Sequence, residues 1–249
     1  MKVLSKLSIK LDKEDKELLF GLVETKEELK KARQLRFQVY NKCDYIDSNR
    51  YTKNEESDQM DENKSTEHLI ACIDGDVIGN IRIIQDSPLP TEKYFTFSRP
   101  EVFEGIDNDN LAELGRLVAV PYKNAQTYLP RGLIFLFLIH SLVIYYKEKG
   151  YLGGYAFIKE DLEKKMVKRG MPLHIIKEAK QDYPKNGALS KYFNQKDNKV
   201  KAIYFLTEEF EEYTKKILNK RLIFKKLNKE EYCLKLKSYN LYLKLARAI

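Results

Sequence analysis

Residues 132–146, GLIFLFLIHSLVIYY, are apolar on every face of a helix and are bounded by Arg131 and Lys147. A bilayer crossing takes about 20 such residues, so this shorter run reads as a helix buried in a protein core. The rest of the chain must therefore cover it. With 249 residues, 43% hydrophobic and 33% charged, the chain has material for one sizeable core and one or two domains.

The flanking patterns suggest what surrounds that helix. Residues 26–40, KEELKKARQLRFQVY, space Leu29, Ala32, Leu35 and Val39 as an amphipathic helix that also carries Arg36. Residues 41–67 are polar and acid-rich without periodicity, which reads as a long loop. From His68 to Gln85, two β-rich runs flank Asp74-Gly75, the pattern of a hairpin with Arg82 on its second strand. A connection rich in Pro and aromatics leads to a strand at 111–120, LAELGRLVAV, ended by Pro121. A loop with Lys123 and Arg131, the apolar helix, a strand at 153–158 and a helix at 159–170 follow. This order predicts an α+β fold, a mixed α/β sandwich.

Charge is unevenly placed. Residues 215–249 hold eleven Lys or Arg against two Glu, a net +9, which leaves the first 214 residues near −1. From about Thr207 the pattern is mostly helical, with Tyr232, Leu236, Tyr239, Leu243 and Ala246 on one face. The expected division is a domain at 1–206 and a basic helical extension at 207–249. Cys43, Cys72 and Cys233 are widely separated, and His68, His140 and His174 lack ligand spacing, so no disulfide framework or metal site is expected. Lys and acids interrupt the leucines of the first 20 residues, unlike the apolar core of a secretory signal. A cytoplasmic location is expected.

Four landmarks in order then carry a resemblance: Arg36 on the first amphipathic helix; the acids Glu56, Asp58 and Asp61, spaced two and three; Arg82 after Gly79 on the hairpin; and Glu113 with Arg116 in ELGR. Together they resemble the autoinducer-synthase branch of the GNAT-type acyltransferases, which includes acyl-homoserine lactone synthases and long-chain N-acyl amino acid synthases. The likeness spans roughly residues 25–180. It implies a GNAT-like fold with a central mixed sheet, and transfer of a fatty acyl group from an acyl carrier protein or acyl-CoA thioester to the amino group of an amino acid or similar amine. No resident cofactor is implied. Glu113, Glu56 and Arg116 are the implied catalytic residues, Arg36, Asp58, Asp61 and Arg82 the substrate-binding ones, and Val118, Val120, Lys123, Arg131 and Phe135 those facing the acyl donor. The family also implies a bulge near RLVAV whose N–H groups stabilise the oxyanion, and an acyl tunnel along 132–146.

Taken singly, these features have ordinary explanations. A charge run between helix and strand is commonly a solvated loop. Residues three apart in an ideal strand, such as Glu113 and Arg116, point to opposite faces. His140 in the apolar helix reads as a core residue. The chain contains no Trp, whereas the lactone synthases typically use one near their cosubstrate, which weakens the reading as a lactone synthase using S-adenosylmethionine. An ornithine-lipid type acyltransferase is a further alternative, and a non-catalytic GNAT-like binding protein is the alternative outside enzymes. The basic 215–249 segment suits an acidic carrier protein, peripheral contact with anionic lipid, or non-specific nucleic-acid binding, and no specific nucleic acid is expected.

Overall fold

A computed structural model describes residues 1–10, 15–123, 128–129, 131–220, 224–228 and 230–234. Strands β1 (Lys2–Lys10) and β2 (Asp15–Leu22) precede helix α1 (Lys26–Lys42), then β3 (Thr66–Ile73) and β4 (Asp76–Ile84). Helix α2 (Pro90–Tyr94), β5 (Phe95–Thr96), β6 (Leu111–Ala119), the small hairpin β7 (Tyr122–Lys123) and β8 (Tyr128–Leu129), and helix α3 (Arg131–Lys149) follow. The order closes with β9 (Gly153–Lys159), α4 (Glu160–Lys168), β10 (His174–Ile175), β11 (Lys180–Gln181), α5 (Ser190–Phe193), β12 (Val200–Leu206), α6 (Thr207–Leu218), β13 (Phe224–Lys226) and β14 (Glu231–Leu234). Among the described residues, ten strands form one mixed sheet in the order β10-β12-β9-β6-β4-β3-β2-β1-β14-β13.

Local chemistry fixes the elements that carry the site. Helix α1 opens with a reciprocal cap: Glu28 N–H donates to Thr25 Oγ1 and the Glu28 carboxylate accepts from Thr25 N–H, each at 3.2 Å. The β3–β4 hairpin turns through Asp74 (φ 51°) and Gly75 (φ 83°), two consecutive left-handed residues matched to the strand twist. Strands β6 and β9 run parallel because α3 crosses between them. Only Leu111–Leu114 pair with Gly153–Ala156, and the two strands share no further register.

Helix α3 is buried along most of its circumference between the sheet and α6. The cluster it anchors includes Phe20, Ile81, Phe137, Leu142 and Phe210. On the other sheet face Phe37, Phe95, Phe103, Tyr155 and Phe193 form a second, aromatic cluster under α1 and α2. No described helix is long and apolar enough to cross a membrane.

One segment without an expected element gains one, and two expectations change. The N-terminal run forms a hairpin, with Ser5, Leu7 and Ile9 buried and Lys6 and Ser8 alternating less buried. The Pro-rich connection contains α2, whose Pro90 and Glu92 are ordinary helix-start residues. Beyond α6 the extension is strand rather than helix as far as it is described: β14 pairs in parallel with β1, and Tyr232 and Leu234 enter the α3 core. The periodic face proposed from Tyr232 to Ala246 fails at Tyr232, because β-pairing offers that segment an open strand edge. Leu236, Tyr239, Leu243 and Ala246 lie outside the described residues.

Candidate active site

The acid-rich loop is not a solvated surface. Asp58 caps the short turn Gln59–Glu62, accepting from Met60 N–H at 3.0 Å, and Asp61 reaches back to Asp58 N–H at 2.9 Å. A spacing of three is what such a reciprocal cap requires. Glu56 is tied to α1 through its N–H, which donates to the Arg33 carbonyl at 3.1 Å.

These acids alternate with three arginines in a closed ring. Arg36 meets Asp61 at 2.7 Å and Glu56 at 2.8 Å, and Glu56 meets Arg116 at 2.9 Å. Arg116 then meets Asp58 at 2.5 Å, Asp58 meets Arg82 at 2.6 Å, and Arg82 returns to Asp61 at 3.3 Å. Three positive and three negative groups cancel, which permits side chains 0–4% exposed for all but Asp58, at 20%. Burial alone would raise Asp58 and Asp61. Arg116 and Arg82 on the first, and Arg36 and Arg82 on the second, outweigh it and hold both below the usual carboxylate range. His68, 3.3 Å from Asp61, is pushed down to about 4 by burial and is neutral at pH 7.

Glu113 and Arg116 share a sheet face because β6 bulges between them. Arg82 pairs with Gly115 and Asn80 with Val118, so one extra residue sits on β6, and Arg116 adopts φ 52°. Asn80 Nδ2 donates to the Arg116 carbonyl at 3.0 Å. Glu113 is 1% exposed and stands apart from the ring; it accepts from Thr91 N–H at 2.7 Å and Thr91 Oγ1 at 2.9 Å. Burial pushes its carboxyl up to about 8, and the Thr91 bonds oppose that shift.

Two cavities meet at this bulge. Where β6 and β9 cease to pair, Gly115–Leu117 and Phe157–Lys159 line a cavity of about 130 Å³ that continues past Phe135, Ile139, Met166 and Phe210. On the other side lies a chamber of about 20 Å³, room for roughly one water, bordered by Asp58, Arg82, Glu113, Tyr94 and Tyr183. Gly115, Arg116, Phe157 and Leu189 border both. Lys159 lines the larger cavity, 2% exposed, donating to the Tyr192 and Asn198 carbonyls, and burial pushes it down to about 8.

The structure thus gathers Arg36, Glu56, Asp58, Asp61, Arg82, Glu113 and Arg116 around one centre. Of the residues expected to face an acyl donor, Phe135 lines the apolar cavity. Val118 is buried, Val120 half-buried, and Lys123 and Arg131 exposed; none of these four lines it. Thr91, Tyr94, Phe157, Tyr183 and Leu189 escaped sequence reading. Only the helix-start pattern around Pro90 could have drawn notice to the first two.

Residues 31–151 match the family model described as N-acyl amino acid synthase FeeM. Among solved structures, the chain is similar to the acyl-homoserine lactone synthase LasI, 17% identical with a TM-score of 0.52 over 76% of this chain and 89% of that one. It is also similar to the CoA-dependent acyl-homoserine lactone synthase MesI, 16% identical, TM-score 0.52, over 80% and 94% of the two chains. A third is the CoA-dependent synthase BjaI with MTA, 12% identical, TM-score 0.51, over 80% and 89%. At such identities the structural likeness is one of fold. No curated protein matches the chain in sequence.

Proposed function

We propose that this chain, an acyltransferase of the N-acyl amino acid synthase and autoinducer synthase branch of the GNAT fold, moves a fatty acyl group from an acyl carrier protein or CoA thioester onto the amino group of an amino acid or similar small amine. One observation carries the reading: a buried carboxyl and an apolar cavity meet at a strand bulge. The acyl chain occupies the larger cavity, and the acceptor's amino group takes the one-water chamber beside Glu113.

An amine is protonated at neutral pH, and attack on a thioester needs its lone pair. The ionised form of Glu113, whose carboxyl burial pushes up to about 8, takes that proton; such assistance contributes about 10²- to 10⁴-fold. The neutral nitrogen then adds to the thioester carbonyl carbon. Negative charge develops on the carbonyl oxygen, and the bulge offers a donor for it. The Arg116 carbonyl is committed to Asn80 on the β4 side. A trans peptide turns the following Leu117 N–H away from that bond, and Leu117 lines the cavity. Collapse of the adduct breaks the C–S bond and the thiolate leaves with the proton that Glu113 received; the adduct nitrogen then gives its second proton to the Glu113 carboxylate so restored, which passes it to solvent, and the neutral amide remains. Among the described residues neither cavity is lined by Ser or Cys, so direct aminolysis suits the site.

Glu56 faces guanidinium groups through both oxygens and borders neither cavity, which favours Glu113 over Glu56 as the base. The ring's part is to fix Arg82, Arg116 and Asp58 as the chamber floor. Mass spectrometry of organic extracts from a bacterium expressing the chain tests the assignment. New N-acyl amino acids support it and identify both amine and chain length. Lactones with methylthioadenosine release, or acyl-ornithine, would replace it with the corresponding alternative.

A further inference from the structure

The Glu113 carboxylate has both oxygens occupied by one residue of a different element. Thr91 is fully buried, and its amide N–H and hydroxyl bond Oε2 and Oε1 at 2.7 and 2.9 Å. A fork of this kind fixes the carboxyl plane and leaves the remaining lone pairs for a ligand in the chamber. Thr91 itself borders neither cavity. Helix α2, which holds Thr91, also brings Pro90 and Tyr94 to the chamber wall, so one short segment sets both the base and part of the acceptor pocket.

We propose that Thr91 is a positioning residue for acyl transfer, whose hydroxyl and amide aim the Glu113 carboxylate at the acceptor amine. This rests on the reading of Glu113 as the base. Thr91 acts through Glu113 and does not touch the reacting atoms. A hydroxyl donor to a carboxylate favours its ionised form, so loss of the hydroxyl raises the pH at which Glu113 becomes a base. Other groups near Glu113 are Arg82 from β4, Arg116 from β6, Asp58 from the acidic loop, Glu92 from α2, Tyr146 from α3 and Tyr155 from β9. Thr91→Val keeps all of them and the side-chain shape.

The experiment measures kcat against pH for wild type, Thr91→Val, Thr91→Ser and Glu113→Gln, using a saturating acyl thioester and the acceptor found in extracts. The expected result is that Thr91→Val moves the acid limb upward by about one pH unit while Thr91→Ser restores the wild-type limb. Glu113→Gln abolishes the limb. A uniform loss in Thr91→Val with the limb unmoved overturns the positioning role and leaves Glu113 as base. Persistence of the limb in Glu113→Gln overturns the base assignment itself. Should Thr91→Val not fold, Thr91→Ala removes the same donor and is read by the same limb.

Discussion

Breaking the ring at Glu56 gives the sharpest test of how it is held. Glu56→Leu removes the carboxylate between Arg36 and Arg116 and leaves five buried charges with a net +1. Removing one partner of a buried ion pair costs about 3–5 kcal/mol, because the other charge stays buried without compensation. Here Arg36 keeps Asp61 and Arg116 keeps Asp58, so the lower end, about 3 kcal/mol, is expected. Arg36→Leu should cost a similar amount. The double replacement behaves differently: it leaves the neutral run Asp61, Arg82, Asp58 and Arg116, still joined at 3.3, 2.6 and 2.5 Å. Its cost should fall short of the sum of the singles by about 2 kcal/mol, the coupling of an adjacent charged pair. Urea unfolding at pH 7 of the four proteins closes the cycle. Singles that add within about 0.5 kcal/mol, or a Glu56→Leu cost below about 1 kcal/mol, would refute the closed ring.

Two further predictions follow from burial and backbone geometry. His68 and His140 are both pushed down to about 4 by burial. The unfolded chain binds their protons below about pH 6.5 while the folded one does not, so stability falls as pH drops from about 6.5 to 4. His140→Phe, between Phe137 and Tyr232, should remove roughly half of that slope in thermal unfolding; an unchanged slope would count against a neutral buried His140. A Cβ on Gly154 would lie 1.7 Å from the Ala112 carbonyl oxygen, whereas one on Gly115 meets nothing within 4 Å. Gly154→Ala should therefore cost more than about 3 kcal/mol in urea unfolding and Gly115→Ala less than about 0.5; equal costs would contradict the β6–β9 register.

The apolar run at 132–146, the Asp74-Gly75 turn and the three-and-four spacing of α1 were legible because each is a local pattern with one physical solution. The four landmarks also carried the resemblance, and three of them lie within residues 31–84 and the fourth at 113–116, all inside the stretch that matches the N-acyl amino acid synthase model. The ring was not legible as geometry: six charges spread from Arg36 to Arg116 are brought together only by the β3–β4–β6 pairing and the cap at Asp58. Ideal alternation put Glu113 and Arg116 on opposite faces, and nothing local announces the bulge that reunites them. Thr91 belongs to a five-residue helix too short for periodicity to register. The strand nature of Glu231–Leu234 depends on a partner more than 200 residues away, and its own pattern fits a helix equally well.

The most direct test of the central claim is thiol release and product mass from purified chain given an acyl thioester and an amino acid acceptor, with Glu113→Gln beside it. The account predicts one thiol per N-acyl amino acid formed, and a Glu113→Gln rate at least about 100-fold lower. Glu113→Gln retaining more than about a tenth of wild-type turnover would contradict it, as would methylthioadenosine appearing with a lactone product.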